Sequence, residues 1–192
     1  MNQSTKTRIL SYCREHLSPR RMEHVLAVSE EAKQLALRFG ASPEAAELAS
    51  LFHDCVRGWT VEELNRAVME LGLDPELLDS LHLSHSKIAA ELMEREYGIM
   101  DPDLIDAVRF HTTGRKGMGL LEKVLYLADA IEPLRHYPGV DEIRRLAEYD
   151  LDQACLASME HTIHYLNEKG QFIDQDTICA REDLAAQVRS KP

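Results

Sequence analysis

A chain of 192 residues with 44% hydrophobic and 29% charged side chains is long enough for one domain with a proper core, and it shows no disordered or fibrous bias. Its formal charge of −11 argues against a general nucleic-acid binder, because phosphate-backbone affinity comes mainly from Lys and Arg; a small phosphorylated ligand held by a local basic cluster remains compatible. No apolar run approaches the roughly 20 residues that cross a bilayer, and residues 1–6 carry no signal-peptide core, so the expectation is a cytoplasmic protein with no membrane partner.

Capping residues punctuate the chain so legibly that helices are expected almost throughout. After a first helix over 5–16, Ser18 supplies an N-cap before Pro19, and Gly40 follows Phe39 as a stop. Between them Met22, Val25, Ser29, Ala32, Ala36 and Phe39 trace the inner face of a long helix. Ser42-Pro43, Asp74-Pro75 and Asp101-Pro102 repeat that start, and Thr60 to Glu63 reads as a capping box for a helix ending at Gly72. The predicted helices are 5–16, 19–39, 43–56, 61–71, 75–80, 85–97, 102–110, 119–131, 140–147, 151–169 and 181–189. β-branched alternation appears nowhere at useful length, so the fold class is all-α, with no repeat or linker dividing it. Residues 1–4 and those after Val188 are expected to fray. Cys13, Cys55, Cys155 and Cys179 are widely spaced, with no C-x-x-C pair, and read as buried free thiols.

Two carboxylates break this pattern. The run from Ala49 to Val56 reads as core yet contains His53-Asp54, and a buried unpaired carboxylate costs several kcal/mol or gives up its charge. Arg57, one turn on, is one partner for Asp54; a metal ion, for which adjacent His and Asp are competent ligands, is another. Asp129 stands in the same predicament within 124–131. Lys123 and Glu132 flank it, either orienting ligands from outside or forming a surface ion pair. Nine histidines are many for this length. His24 lies at the edge of the long helix's buried stripe, His53-Asp54 near the end of the next, His85 opens a helix, His111 closes one and Asp129 is inside another. Bundles build metal sites at their centre from such contributions.

The order His24, His53-Asp54, His85, His111, Asp129 resembles the HD-domain metal-dependent phosphohydrolases, in which H…HD…D is the minimal site and two intervening histidines complete a two-metal variant. Longer stretches, Arg21-Met22-Glu23-His24, Leu51-Phe52-His53-Asp54, the run from His85 to Ala90, the run from His111 to Met118 and the run from Leu121 to Arg135, resemble the YqeK branch of that family, which hydrolyses diadenosine tetraphosphate symmetrically. Arg57 stands where that branch usually carries Lys, and Lys87 and Ala89 where it tends to have Pro and Gly.

The resemblance implies a single HD-domain helical bundle over 1–192, with the motifs at about 18–135 and a helical extension at about 136–192. It implies that His24, His53, Asp54 and Asp129 hold one metal ion, and His85, His111 and Asp54 a second, with Asp54 bridging. The resemblance implies divalent or mixed-valent metal ions, iron first and manganese, cobalt or nickel as alternatives, and imidazole and carboxylate donors suit all four. A hydroxide shared by the two ions is the implied nucleophile. Positive charge for the phosphates is expected from Arg115 and Lys116, after the Gly114 bend, and next from Arg57, Arg21 and Arg135. Thr112 and Thr113 either donate to phosphate or cap a helix end. The implied reaction converts a dinucleoside polyphosphate, diadenosine tetraphosphate, to two ADP; the alternatives are a nucleotidase acting on mononucleotides and a non-catalytic nucleotide-sensing module. A homodimer is left open. His16, His82, His136, His161 and His164 are read as ordinary, His82 in a loop and the last two on a solvated or half-buried helix face. Trp59 is expected to anchor packing, and Leu35-Ala36-Leu37 to be core.

Overall fold

The computed structural model describes residues 3–190, which form ten α-helices and a short 3-10 turn, with no strand among the described residues. In chain order these are α1 (Gln3–His16), α2 (Pro19–Phe39), α3 (Pro43–His53), α4 (Val61–Leu71), the 3-10 turn (Pro75–Leu77), α5 (Leu81–Arg95), α6 (Pro102–Arg109), α7 (Leu120–Ile131), α8 (Val140–Leu146), α9 (Leu151–Glu168) and α10 (Gln175–Ser190). The all-α expectation holds. Ser18, Ser42 and Thr60 each accept a hydrogen bond from a backbone N–H of the first turn that follows, as their N-cap reading requires. Gln3, Ser4 and the chain from Val188 to Ser190 are helical rather than frayed; residues 1, 2, 191 and 192 lie outside the described residues.

α3 is the hub. It packs on α1, α2, α5, α6 and α7, and Ala46, Leu48, Ala49, Ser50, Leu51, Phe52 and His53 are all buried. The small residues let neighbouring backbones approach closely, while burial of Leu51 and Phe52 contributes about 2–3 kcal/mol each. Phe52 meets the Tyr97 ring edge-on, with centroids 4.8 Å apart. α7, which lies against α2, α3, α6 and α9, closes the other side of the core.

Several boundaries differ from the sequence expectation, each for a local reason. α3 ends at His53 rather than at residue 56, because Cys55 and Arg57 donate their N–H groups to Phe52 and Asp54 three residues back and the chain tightens into turns. α5 begins at Leu81, four residues early, so His82 is helical and His85 lies one turn in; its Ser80 cap makes no side-chain bond and leaves no signature in the sequence. Residues 75–80 form only a 3-10 turn, and α10 starts at Gln175, where Asp174 accepts from the Asp176 N–H. Leu37 is 66% exposed, so the core stripe of α2 passes through Leu35 and Ala36 and not through Leu37. Trp59 packs against the core as expected and donates its indole N–H to the Tyr12 hydroxyl. Cys13, Cys55 and Cys155 are buried and Cys179 half-buried, all as free thiols.

Candidate metal centre

His24 comes from the second turn of α2, His53 from the last residue of α3, His85 from α5, His111 from the turn after α6 and Asp129 from α7. Asp54 owes its direction to the end of α3. Consecutive side chains on an unbroken α-helix diverge by about 100°, and His53 and Asp54 converge because the backbone leaves helical geometry at Asp54, with φ −114° and ψ 15°. Nε2 of His24 and of His53 lie 3.7 and 3.6 Å from Asp54 Oδ2, whereas Nε2 of His85 lies 3.4 Å from Asp54 Oδ1. The carboxylate thus faces two histidines with one oxygen and a third with the other. His24 Nε2 is 3.1 Å from Asp129 Oδ1, and His85 Nε2 is 3.1 Å from His111 Nε2.

The opposite nitrogen of each imidazole is already engaged. His53, His85 and His111 hold Nδ1 against the carbonyls of Ser50, Leu81 and Val108 at 2.6, 3.2 and 2.8 Å. A carbonyl only accepts, so Nδ1 carries the proton and Nε2 presents its lone pair to the centre. His24 Nδ1 does the same with the Glu132 carboxylate at 3.1 Å. Glu132 is 1% exposed, which settles its two readings: it orients a histidine from behind. Lys123 instead pairs with Asp152 at 2.8 Å and plays no part here.

These residues suit metal ions. Donor atoms of His24, His53 and Asp129 lie within 4.8 Å of one another, as do those of His53, Asp54 and His111. Nε2 of His53 is buried and makes no hydrogen bond, a loss of about 1–3 kcal/mol that a coordinated ion removes. Protonation agrees. Burial pushes His53 and His85 below the usual imidazole range and His111 down to about 4. Burial also pulls on His24, yet Asp129 and Glu132 outweigh it and move that group up. For Asp54, burial is outweighed by His53, His85 and His111, and for Asp129 by His24 and Arg135, so both carboxyls lie below their usual range. At neutral pH the centre offers ionised carboxylates and, at three of its four histidines, neutral imidazoles.

The expected cations fall into two groups. Arg21 donates to Asp54 Oδ2 at 2.7 Å, Arg57 Nε stands 3.5 Å from Asp54 Oδ1 while donating to the Leu81 carbonyl, and Arg135 hydrogen-bonds the Asp129 carboxylate and carbonyl. The structure brings Arg21, Arg57 and Arg135 to the carboxylates and not Arg115 or Lys116, which the sequence placed first. The Arg115 guanidinium is bound to Glu122 at 2.6 and 3.0 Å and to Asp106 at 3.0 Å, packed over Phe110, and Lys116 is exposed on the loop. Glu122 is buried, so its pairing with Arg115 holds the loop after His111 onto the start of α7. Thr112 Oγ1 reaches the centre, 3.4 and 3.3 Å from Nε2 of His85 and His111; Thr113 Oγ1 turns away to the Gly114 carbonyl. Beside His111, Thr112, Asp129 and Arg135 a cavity of about 460 Å³ opens, and His161 lines it too. His16 stacks on Tyr12 and His164 pairs with Glu168, both away from the centre.

Residues 21–134 match the HD domain family. Among curated proteins, the chain is 43% identical over 169 residues to "Bis(5'-nucleosyl)-tetraphosphatase, symmetrical" of Bacillus subtilis, covering 88% of this chain and 91% of that protein. It is 39% identical over 176 residues to the protein of the same name from Halalkalibacterium halodurans, covering 91% and 94%. A crystal structure from Clostridium acetobutylicum, described as an HD superfamily hydrolase involved in NAD metabolism, superposes with a TM-score of 0.89 at 37% identity over 95% of this chain and 97% of the other.

Proposed function

Since the chain belongs to the HD domain family, we propose that it is a metal-dependent hydrolase that cleaves diadenosine tetraphosphate symmetrically into two ADP. The observation that carries the reading is the convergence of four imidazole Nε2 atoms, each aimed by a bond at Nδ1, on Asp54 and Asp129. The name shared by relatives matched along nearly their whole length supports the substrate.

In this reading His24, His53, Asp54 and Asp129 hold one ion, and Asp54, His85 and His111 the second. The way Asp54 divides its oxygens between the two histidine groups supports its place as the bridge. Two such ions, for which iron, manganese, cobalt or nickel suit these donors, would supply Lewis acidity and lower the pKa of a bound water towards neutrality.

The protein's own groups do the remaining work. Arg21, Arg57 and Arg135 surround the carboxylates, and each has five N–H donors, of which only some are used on Asp54, Asp129 and nearby carbonyls. Their spare donors meet the charge that grows on the non-bridging phosphate oxygens, and Thr112 adds a hydroxyl at the same point. Water attacks a phosphorus beside the central bridging oxygen. The bond from that phosphorus to the bridge breaks, and the bridging oxygen leaves with the second ADP, whose charge the arginines offset. Thr113, Arg115 and Lys116 take no part.

Chromatography of the products from metal-loaded protein tests the assignment. ADP alone is expected; ATP plus AMP from the dinucleotide, or inorganic phosphate from AMP with the dinucleotide untouched, would overturn it.

A further inference from the structure

The cavity beside the metal centre is polarised. At one end stand His111, Thr112, Asp129 and Arg135; the other is formed by Tyr126, Tyr137, Ser158, His161, Thr162 and Tyr165. The second group contains no carboxylate, lysine or arginine. Ser158, His161, Thr162 and Tyr165 recur at i, i+3, i+4 and i+7, so one face of α9 is turned to the cavity over two turns. That stripe is neither apolar enough for core nor charged enough for a solvated face.

From this geometry we infer that the far end of the cavity is the nucleoside subsite: it takes the neutral base and ribose of one half of the substrate while the polyphosphate lies over the metal centre. The inference rests on the hydrolase reading above and adds residues to it. The Tyr137 and His161 rings lie tilted against each other with centroids 4.7 Å apart and an interplanar angle of 31°, and Tyr165, 49% exposed, stands one helical turn beyond His161. These rings give a purine a π-surface. Deeper in stand the hydroxyls of Tyr126, Ser158 and Thr162, the last donating to the Ser158 carbonyl, a set suited to ring nitrogens or ribose oxygens. At about 460 Å³ the cavity is within the range of small-ligand sites. A larger cavity, of about 830 Å³, contributes no metal ligand and is lined by Asp74, Glu76, Asp174 and Asp176, which repel a polyphosphate. Leu83 and Lys87, which also line it, lie two residues either side of His85, on the face of α5 turned away from the centre.

Equilibrium dialysis of the manganese-loaded full chain against ADP and, separately, against pyrophosphate tests the subsite. His161→Ala and Tyr165→Ala are expected to weaken ADP binding about tenfold and leave pyrophosphate binding unchanged. His164→Ala, outward on the same helix, is expected to change neither. The inference fails if both variants bind ADP as tightly as the wild type, or if they lose pyrophosphate in step with ADP. Should the wild type still yield only ADP from the dinucleotide in those cases, the subsite alone is wrong. A wild type that binds pyrophosphate but not ADP, and makes no ADP, removes the hydrolase reading and the subsite together.

Discussion

Glu132 illustrates how a residue that never touches substrate governs a site. One of its oxygens meets His24 Nδ1 at 3.1 Å and the other accepts the Leu134 N–H at 2.6 Å, so a buried carboxylate is pinned at both ends and His24 is left one orientation. Glu132→Gln keeps the shape, removes the charge and weakens the preference for a proton on Nδ1. Metal affinity is expected to fall about 10–100-fold with the fold intact, as for other groups that brace a ligating histidine; titration with manganese reads this, and an unchanged affinity would release Glu132 from that role. Asp54→Ala is a harsher change. Losing oxygens on both sides of the centre, the variant is expected to lose metal and activity together, and full activity would sink the metal-site assignment. Asp54 and Asp129 stood out in the sequence because a carboxylate in an apolar run needs a partner. Glu132 was not, since its burial depends on where the chain goes after α7. The pairing of Arg115 was hidden for the same reason: its partners lie seven residues ahead and nine behind, and only the loop's path joins them.

At the scale of elements, the centre depends on where helices stop. α3 breaks between His53 and Asp54, and the tight turns that follow bring Gly58 against α1, where a Cβ would lie 2.3 Å from the His16 carbonyl oxygen. Gly58→Ala is therefore expected to cost about 1–3 kcal/mol, by overpacking backbone against backbone. Urea unfolding checks it, and a shift within error would mean that α1 moves aside freely. Arg115→Ala is expected to destabilise by about 1–3 kcal/mol, because buried Glu122 keeps the Gly119 N–H but loses its guanidinium. Turnover of the folded variant is expected to be unchanged; a lowered kcat with unaltered stability would return Arg115 to the phosphates. Helices with side-chain caps, α2 and α4, were readable to the residue. α5, entered without one, was not, because its Ser80 cap makes no side-chain bond and leaves no signature in the sequence. α10 hid for another reason: its buried face, Thr177, Ala180, Leu184 and Ala185, is built mostly of small residues that carry little hydrophobic contrast.

For the whole molecule, the proposed ligands come from α2, α3, α5, the turn after α6 and α7, the helices that also build the core, so the proposal links metal binding to folding. An ion present at a thousand times its dissociation constant adds about 4 kcal/mol to the folded state. At this chain length each kcal/mol is worth about 2–4 °C, so each ion stripped by a chelator is expected to lower Tm by about 8–16 °C. Complete unfolding is not expected. Arg21 sits 2.7 Å from Asp54, and Arg135 is bonded to Asp129, so each carboxylate keeps a counter-charge without the ions. Calorimetry of metal-loaded, chelated and manganese-restored protein measures the effect. Asp54→Ala supplies the control, because a variant that binds no metal has no chelator-dependent stability to lose. If the chelator moved Tm equally in the variant and the wild type, the stabilisation would come from ions bound elsewhere, and the linkage between this centre and the fold would be wrong.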